Sequence, residues 1–335
     1  MDETQVSELA ETGKFLDRII GGRVVETHIS WVILARPYVF KIKKPIKLSF
    51  LDFSSLAKRK KYCDRELELN KRFSPVYLDV LPVCRHEGCW IIGGGKGRVV
   101  DYVVRMKRLM TSKQMDRLLK KNRVTREEII RLAKVVSTFH SKAAVCSQMF
   151  SLQKFRAAFN DIGSIIHVIQ KYAGAKSAQL VRKSMQWSDI FLAAHADRIK
   201  ERISLGFFRD VHGDLHSGNI FLYKAPVLFD CIEFNDGYRR IDLINEIAFL
   251  CMDLEAHGKQ RMANLFIREY QRDLVCIDTP EDDRLIVYYK CYRANVRAKV
   301  HALSAEQTSE DPEVFRSHIN ALRNYLRLMR NYIEA

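Results

Sequence analysis

Residues 212–219 read HGDLHSGN, a glycine-containing segment in which an aspartate precedes an asparagine by five positions. Phosphoryl transfer uses a carboxylate that accepts the proton of the attacking group, and it needs an oxygen ligand for Mg²⁺ nearby. The catalytic-loop pattern H-R-D-x-x-x-x-N places the two groups at this spacing, and Gly213 here stands in the position of the arginine. The spacing therefore predicts Asp214 as the catalytic base, Asn219 as a metal ligand and His212 as a buried, orienting residue.

A predicted β-hairpin follows this segment directly. Residues 220–223 and 227–229 are strand-forming apolar runs separated by Lys-Ala-Pro, and Asp230 comes at the end of the second run. In phosphate-transfer sites Mg²⁺ is commonly held by one or two carboxylates together with phosphate oxygens. The order of the motifs therefore predicts Asp230 as a second metal ligand. Glu233 is expected to support the site, and the alternative interpretation is an ordinary polar loop residue.

The order of the predicted elements indicates a mixed α+β chain. We expect an N-terminal lobe over residues 1–105, a hinge over 106–110 and a mainly helical C-terminal lobe over 111–335. The individual predictions are helices over 3–20, 55–73, 151–172 and 176–204, a helix that begins with a capping box at Thr125 and Glu128, strands over 31–35 and 38–42, and a hairpin of 90–92 with 99–106 around the glycine-rich run 93–97.

These segments resemble the aminoglycoside phosphotransferase branch of the protein-kinase-like superfamily. The stretches that carry the resemblance are residues 211–219, 228–235 and 241–250, with further similarity at 27–31, 40–45 and 289–300. Within the branch, the chain is similar to bacterial proteins described as aminoglycoside phosphotransferase-like, whose substrates are generally unassigned. The resemblance implies a bilobal kinase fold, with a small antiparallel-sheet lobe and a large helical lobe, and ATP and Mg²⁺ as cofactors. In the family's signature helix Asp242 matches the pattern, whereas Glu246 stands where the family has aspartate.

The resemblance also implies a nucleotide-binding lysine on the third strand of the N-terminal lobe. Lys41 is the best match for the residue that contacts the α- and β-phosphates. Lys43 is its rival, because strand alternation sends both side chains to the same face. The expected ion-pair partner is Glu66 in the predicted helix, with Glu68 as the second choice.

Two further groups of residues have expected roles. The resemblance places the hinge that binds adenine near Met106 to Leu109. In the C-terminal part, Arg293, Arg297 and Lys299 lie at helical spacing. In one interpretation these three face an anionic substrate or a partner domain, and in the other they form a solvated helix face.

Composition excludes several classes of protein. The 335 residues are 47% hydrophobic, which is enough for a large buried core, and no run of eighteen apolar residues predicts a membrane-spanning helix. The polar, acidic N-terminus lacks the features of a signal peptide. Eight scattered cysteines without a C-x-x-C pair favour reduced thiols over a zinc ribbon or a disulfide scaffold. We therefore expect a cytoplasmic protein without membrane association.

The formal net charge of +16 raises a nucleic-acid interpretation. The excess is uneven, because residues 200–255 contain six Lys or Arg against ten Asp or Glu. An acidic stretch inside a basic protein suits a site that holds a divalent metal. Since the sequence contains no recognised nucleic-acid motif, nucleic-acid binding is the least favoured of the functions considered.

The main functional prediction is an ATP-dependent phosphotransferase that acts on a hydroxyl or amine of a small-molecule acceptor, whose identity stays open. The alternative is a non-catalytic nucleotide-binding or partner-binding module of the same fold. Relatives in the resembling group often carry a second, P-loop kinase domain, and this sequence has no G-x-x-x-x-G-K-[ST] run. We therefore expect this chain to lack that domain, and a separate P-loop kinase is one candidate partner.

Overall fold

The structure is a computed structural model that describes residues 1–48, 51–94, 97–147 and 149–335. The chain forms two compact units. The sheet unit comprises Met1–Leu118 with Asn219–Arg239, and the helical unit comprises Leu119–Gly218 with Arg240–Ala335. The predicted α+β class, with an antiparallel-rich N-terminal sheet and a helical C-terminal part, is confirmed.

Short strands and helices alternate early in the chain, and helices dominate afterwards. The strands are β1 (Lys14–Phe15), β2 (Arg18–Ile19), β3 (Arg23–Glu26), β4 (Ser30–Leu34), β5 (Tyr38–Lys43), β6 (Lys47–Leu48), β7 (Leu51–Asp52), β8 (Tyr77–His86), β9 (Cys89–Ile92), β10 (Arg98–Lys107), β11 (Phe208–Asp210), β12 (Ile220–Phe221), β13 (Val227–Leu228) and β14 (Arg240–Asp242). The α-helices are α1 (Glu3–Thr12), α2 (Leu56–Lys71), α3 (Met115–Lys120), α4 (Arg126–Lys142), α5 (Leu152–Asn160), α6 (Ile166–Ala173), α7 (Ala175–Ala194), α8 (Ala196–Ser204), α9 (Leu243–Ala256), α10 (Gln260–Asp273), α11 (Pro280–Gln307) and α12 (Pro312–Glu334). None of these helices, in the part of the chain that the structure describes, is long and apolar enough to cross a membrane.

Eight strands form the main sheet of the sheet unit, in the order β2-β1-β9-β8-β10-β5-β4-β3. Neighbouring strands are antiparallel except for β1 and β9, which are parallel. β5 lies between β10 and β4, so Lys41 is opposite Val104 on one side and Val32 on the other. The strand that carries the predicted nucleotide lysines is therefore held on both edges, which fixes its register.

The predicted hairpin between residues 90–92 and 99–106 is wrong. β9 pairs with one edge of β8, and β10 pairs with the other edge, so β8 separates the two predicted partners. β8 escaped prediction because its sequence, YLDVLPVCRH, contains a proline and lacks a regular apolar alternation. Residues 95 and 96 of the glycine-rich run lie outside the described residues.

The predicted helix over residues 3–20 is correct only in its first part. α1 ends at Thr12, and the backbone N–H of Gly13 donates to the carbonyl of Leu9. β1 and β2 then form a tight hairpin whose turn residues, Leu16 and Asp17, have φ values of 50° and 59°. The apolar spacing that predicted one long helix therefore belongs to a short helix followed by a hairpin.

The charged helix predicted over residues 55–73 is confirmed as α2. Ser55 caps its N-terminus and accepts a hydrogen bond from the backbone N–H of Lys58. The helix buries Glu66 and Asn70, which lie one turn apart on the same face. A strongly polar helix thus directs a carboxylate and an amide into the interior of the sheet unit, where each needs a partner.

The helical unit contains the long helices of the chain. The capping box predicted at Thr125 and Glu128 is confirmed at the start of α4. α9 is buried along nearly its whole length, which matches its apolar composition. The predicted helices over 151–172 and 176–204 are each interrupted, the first giving α5 and α6 and the second giving α7 and α8.

A buried ion-pair cluster joins three parts of the helical unit. Arg202 of α8 is fully buried and donates to both carboxylate oxygens of Asp242, each at 2.7 Å. It also donates to Asp282 at 2.9 Å and to the carbonyl of Cys276 at 2.8 Å. Asp242, in turn, accepts from the backbone N–H of Ile244 at 2.8 Å. Asp242 therefore caps α9 and ties its first turn to α8.

Arg202→Ala is expected to lower the free energy of unfolding by about 3–5 kcal/mol, because two buried carboxylates lose their shared cation. Lys200→Ala is the control on the same helix, since Lys200 pairs with Asp197 at an exposed position and its loss is expected to change stability little. Urea denaturation followed by circular dichroism measures both variants. Equal stability of the two variants would show that the buried cluster is not an anchor of this unit.

Candidate active site

Two lysines of β5 share one carboxylate in the sheet unit. The Nζ of Lys41 donates to Oε1 of Glu66 at 2.9 Å, and the Nζ of Lys43 donates to Oε2 of the same residue at 2.7 Å. Glu66 is fully buried on α2. Glu68, the second choice as partner, is exposed and pairs with Arg65 instead. Glu66 is therefore the carboxylate that joins α2 to β5.

The same lysines reach the loop that follows β13. Lys41 donates to Oδ1 of Asp230 at 2.6 Å, and Lys43 donates to Glu233. The side chain of Lys41 is 11% exposed, whereas that of Lys43 is completely buried. A lysine that exchanges a carboxylate for a nucleotide phosphate must be reachable from solvent. This contrast favours Lys41 over Lys43 as the nucleotide lysine, an assignment that stays a prediction.

The opposite charges of this network keep Lys41 and Glu66 ionised. Burial by itself would lower the pKa of Lys41, but Asp230 and Glu66 outweigh burial and raise that pKa well above its usual value. Burial would likewise raise the pKa of Glu66, but Lys41 and Lys43 lower it. Burial raises the pKa of Glu233, with Lys43 opposing the shift and Glu66 adding to it. Lys41 therefore carries a full positive charge at neutral pH.

Asp230 has an unusual backbone conformation that neighbouring side chains hold. Its φ of 66° lies in the left-handed region, which residues other than glycine rarely adopt. The backbone N–H of Asp230 donates to the hydroxyl of Tyr77 at 3.0 Å, and the N–H of Cys231 donates to Oδ1 of Asn70 at 3.0 Å. Such a conformation costs on the order of 1–3 kcal/mol and is common at functional sites. The loop is thus held in a costly geometry that fixes where the Asp230 carboxylate lies.

Sequence reasoning missed Tyr77 and Asn70. Asn70 follows Glu66 by four residues and shares its face of α2, a spacing that points to it once Glu66 is identified. Tyr77 opens β8, the unpredicted strand, so no local signal placed it beside Asp230. Burial, with the help of Glu66 and Asp230, raises the pKa of the Tyr77 hydroxyl well above its usual value. Tyr77 is therefore a neutral hydrogen-bonding group in this loop.

The hairpin predicted from residues 220–223 and 227–229 is confirmed as β12 and β13. It brings Asn219 and Asp230, the two predicted metal ligands, to the same end of the hairpin. Asn219 precedes β12, Asp230 follows β13, and the N–H of Phe229 donates to the carbonyl of Asn219 at 3.2 Å. Asn219 is 7% exposed, whereas the Asp230 side chain is 42% exposed. Amide and carboxylate oxygens are ligands that Mg²⁺ accepts when phosphates and water complete its shell. The donor set therefore fits Mg²⁺ bound together with a nucleotide.

A metal site made from side chains alone is a different case. Among residues 1–48, 51–94, 97–147 and 149–335, no group of three or more His, Cys, Asp or Glu is placed to hold a metal ion. A site that depends on phosphate oxygens is consistent with this result, because Mg²⁺ in such sites takes only one or two protein carboxylates.

Met106 and Leu109, the predicted adenine-binding residues, lie at the end of β10 and just beyond it. Met106 is buried and is paired in the sheet with Val39 and Tyr77. Leu109 and Phe229 are partly buried and pack against the same apolar cluster. A largely apolar surface is what a nucleobase-sized ligand needs. The position suits adenine binding, and the role of both residues stays a prediction.

Asp214 lies in the helical unit, on a loop anchored by a buried histidine. The backbone N–H of Asp214 donates to Nδ1 of His212 at 3.3 Å. Oδ2 of Asp214 lies 3.4 Å from Nε2 of His216, and the Asp214 side chain is 36% exposed. Gly213, between His212 and Asp214, has a φ of 84°, which only glycine adopts readily. The loop thus presents an accessible carboxylate on a constrained backbone.

Glu246 and Arg293 hold the backbone of Gly213 from both sides. Oε1 of Glu246 accepts from the N–H of His212 at 2.8 Å and from the N–H of Gly213 at 3.1 Å. The guanidinium of Arg293 donates to the carbonyl of Gly213 at 3.1 Å and to Oδ1 of Asn245 at 2.7 Å. Burial raises the pKa of Glu246 to about 7, although Arg293 and the two backbone donors oppose the shift. We refer to this arrangement as the loop clamp.

The three basic residues of α11 have different surroundings. Arg293 is buried against the loop, so it faces neither solvent nor an anionic substrate. Lys299 forms an ion pair near the surface. Arg297 donates to Nε2 of His301 at 3.3 Å and acts electrostatically on Asp214. Arg293 is thus a residue of the loop clamp whose role helical spacing alone did not reveal.

The charges around Asp214 keep it ionised. Burial by itself would raise its pKa, but His216, Arg297 and His212 hold that pKa well below its usual value. A carboxylate of low pKa is a weak base but a good hydrogen-bond acceptor. In phosphoryl transfer through a loose transition state, positioning of the acceptor contributes more than early proton removal. The loop is therefore suited to aligning an acceptor O–H or N–H.

Comparison of the sequence with known proteins leaves its family open. No family model matches the chain. The chain is 29% identical over 289 residues to uncharacterized proteins of Mycobacterium bovis and Mycobacterium tuberculosis, a match that covers 85% of this chain. The matched region is 55% of each relative, so the chain spans about half the length of the curated relatives it matches. These comparisons lend no support to a separate P-loop kinase partner.

Comparison of structures shows the fold. The chain is similar to a choline kinase from Cryptosporidium parvum, with a TM-score of 0.55, 12% identity and coverage of 99% of this chain and 96% of that one. A choline/ethanolamine kinase family protein from Mesorhizobium loti gives a TM-score of 0.53 at 14% identity, covering 100% and 98%. A spectinomycin phosphotransferase, solved with ADP and spectinomycin, gives 0.52 at 10% identity, covering 100% and 99%. The chain therefore shares the fold of these kinase and phosphotransferase structures, in agreement with the kinase-like fold that the resemblance implied.

Glu246→Ala is expected to lower the free energy of unfolding by about 2–4 kcal/mol, because the buried N–H groups of His212 and Gly213 lose their acceptor. Glu246→Gln keeps an amide oxygen at the same position and is expected to lose less. Chemical denaturation of the two variants measures the difference. Equal losses would show that the two N–H groups do not depend on the oxygen of residue 246.

Proposed function

We propose that this protein is an ATP-dependent phosphotransferase that transfers the γ-phosphoryl group of ATP to a hydroxyl or amine of a small molecule. The observation that carries the proposal is the series of ion pairs Glu66–Lys41–Asp230, with contacts of 2.9 and 2.6 Å, in which Lys41 lies on an interior strand of a kinase-like fold. In such enzymes a strand lysine held by a helix glutamate contacts the nucleotide phosphates, and an aspartate holds the metal. The same three residue types meet here within the sheet unit.

In this proposal Lys41 binds the α- and β-phosphates of ATP, and Glu66 holds its ammonium group in place. Asn219 and Asp230 would hold Mg²⁺, which neutralises the phosphate oxygens as charge develops on them. Asp230 is suited to this exchange because its side chain is partly exposed and its backbone is held by Tyr77. The loop can then present the carboxylate without reorganising when a nucleotide binds.

The direct contact between Lys41 and Asp230 has a consequence for binding. Without nucleotide, the ammonium of Lys41 neutralises the same carboxylate that would bind the metal. Asp230 would be available to hold Mg²⁺ if Lys41 turned to a phosphate, and Lys41 would be available to hold a phosphate if Asp230 held the metal. Mg²⁺ and ATP are therefore expected to favour each other's binding, since each removes the partner that competes with the other.

Asp214 aligns the acceptor in this proposal. Its carboxylate is ionised, and the loop clamp together with His212 constrains the backbone that carries it. An aligned O–H or N–H lies ready for in-line attack, and the carboxylate receives its proton as the new bond to phosphorus forms. The similar structures are a choline/ethanolamine kinase family protein, a choline kinase and a spectinomycin phosphotransferase by name. Because this chain is at most 14% identical to them, their acceptors do not identify the acceptor of this protein.

The first test is MgATP binding measured by calorimetry on the wild type and on Asp230→Ala. The wild type is expected to bind ATP more tightly with Mg²⁺ than with EDTA. Asp230→Ala is expected to bind ATP in the presence of Mg²⁺ only as tightly as the wild type does with EDTA. Asp64→Ala is the control, because Asp64 is an exposed acid of the same unit that pairs with Lys60. Absence of MgATP binding in the wild type would move the assignment to the non-catalytic module.

The second test concerns Asp214. Asp214→Ala is expected to lower turnover by roughly 10²-fold or more while leaving MgATP affinity unchanged, because Asp214 acts on the acceptor and not on the nucleotide. Turnover is measured as ADP release over a panel of hydroxyl and amine acceptors. Asp197→Ala, which removes an exposed acid of the helical unit, is the control. Unchanged ADP release in Asp214→Ala would contradict the catalytic role.

A further inference from the structure

The exposed side of α12 carries a row of arginines. Arg316, Arg323, Arg327 and Arg330 are exposed and follow one another at intervals of seven, four and three residues, which places them on one helix face. The opposite face, with residues such as Tyr325 and Tyr332, is buried. At 1.5 Å per residue the row is about 21 Å long. The arginines thus form a linear array of cations along the surface of the helical unit.

A groove between α7 and α12 extends this array. Its volume is about 530 Å³, and its lining includes the cations Lys176, Arg182, Lys183 and Arg330, with Glu334 as the acid. Lys176, Arg182 and Lys183 are exposed side chains of α7. We define the basic face as these three residues of α7 together with the four arginines of α12. Seven cations are therefore gathered on two adjacent helices.

Among the described residues these cations have no ion-pair partner, in contrast to other basic residues of the chain. Arg202, Lys41 and Lys43 each contact carboxylates. In the described parts of the chain, no carboxylate lies within ion-pair distance of any residue of the basic face, and Arg327 donates instead to the amide of Asn324. A surface that concentrates like charges repels itself, and it attracts an anionic ligand strongly. This surface is thus suited to binding an anionic ligand that is not part of the chain.

The geometry and chemistry of the basic face favour a nucleic-acid backbone over other anions. Guanidinium groups match phosphate oxygens in shape and hydrogen-bonding geometry. A row of about 21 Å corresponds to about six base steps at 3.4 Å per step. Val314 is the exposed large apolar residue of α12 among the described residues, and the buried ones leave no continuous apolar face to insert into a membrane. The groove's apolar lining residue, Leu180, is also buried, so no aromatic or aliphatic anchor for a protein partner lines it among the described residues.

We propose that the basic face of α7 and α12 binds the phosphodiester backbone of a nucleic acid through charge, without reading base sequence. The inference goes beyond the phosphotransferase activity and does not depend on it. The net positive charge of the chain does not come from residues 200–255, which are acidic, and the basic face carries part of it. Since the groove carries no aromatic side chain in its lining, base stacking is not part of the interaction.

The test is the affinity of the full chain for a fluorescently labelled 20-base-pair DNA duplex, measured by anisotropy at several salt concentrations. The test variant is Arg323→Glu/Arg327→Glu/Arg330→Glu. The matched control is Lys121→Glu/Arg123→Glu/Lys134→Glu, which reverses the same number of exposed charges elsewhere in the helical unit. The test variant is expected to lose on the order of 10²-fold in affinity, and its slope of log affinity against log salt is expected to fall by about 3.

Several results would overturn the proposal. Wild-type chain that does not bind the duplex at 50 mM salt contradicts it directly. Equal losses in the test and control variants would mean that the whole-protein charge, and not the basic face, attracts the duplex. Binding to anionic phosphatidylserine vesicles that is tighter than duplex binding, and is lost in the same variant, would assign the face to a membrane. If thermal unfolding shows that the triple variant is unstable, Arg327→Gln/Arg330→Gln is used, with an expected slope change of about 2.

Discussion

Glu66 accepts one lysine on each carboxylate oxygen, and the geometry of the sheet unit's site depends on this shared carboxylate. A fully buried carboxylate is tolerated only when cations and hydrogen bonds compensate for its lost hydration. Lys41 and Lys43 supply both cations from β5, an interior strand of the sheet. Because each lysine also reaches an acid in the loop after β13, the position of that loop is set by the same carboxylate. Helix, strand and loop are therefore joined through Glu66, which cannot lose both lysines without being left buried and unpaired.

The loop clamp applies a related constraint to the segment that carries Asp214. Here the buried groups are backbone N–H and C=O groups, which need partners wherever water is excluded. Glu246 accepts from two consecutive N–H groups, and Arg293 donates to the carbonyl of Gly213. The side chain of Asp214 is left out of these contacts and stays partly exposed. Both units thus use buried charged residues to hold the backbone, and each keeps a carboxylate accessible for chemistry.

The positive charge of the chain has two distinct uses in this interpretation. Part of it is buried and compensated, as in the Arg202 cluster and the Lys41–Lys43 network, where it organises the structure. Another part lies on the basic face without ion-pair partners in the described chain, where it is available to a ligand. Net charge alone does not distinguish these uses, because a formal count ignores burial and pairing. The proposed phosphotransferase site and the proposed nucleic-acid surface therefore involve different sets of cations.

The sequence by itself determined the features that depend on neighbours in the chain. The spacing of Asp214 and Asn219, the hairpin before Asp230, the capping box at Thr125 and the helix that carries Glu66 all follow from local patterns. Only the tertiary structure decided how distant residues meet. Lys41 and Asp230 are 189 positions apart and lie 2.6 Å apart in space, and Tyr77 reached the same loop from a strand that local patterns did not predict. The pairing of β8 with both β9 and β10, and the place of Arg293 in the loop clamp, are decided in the same way. The physical reason is that propensity and capping act over a few residues, whereas strand pairing and charge burial are satisfied by whichever distant groups the fold brings together.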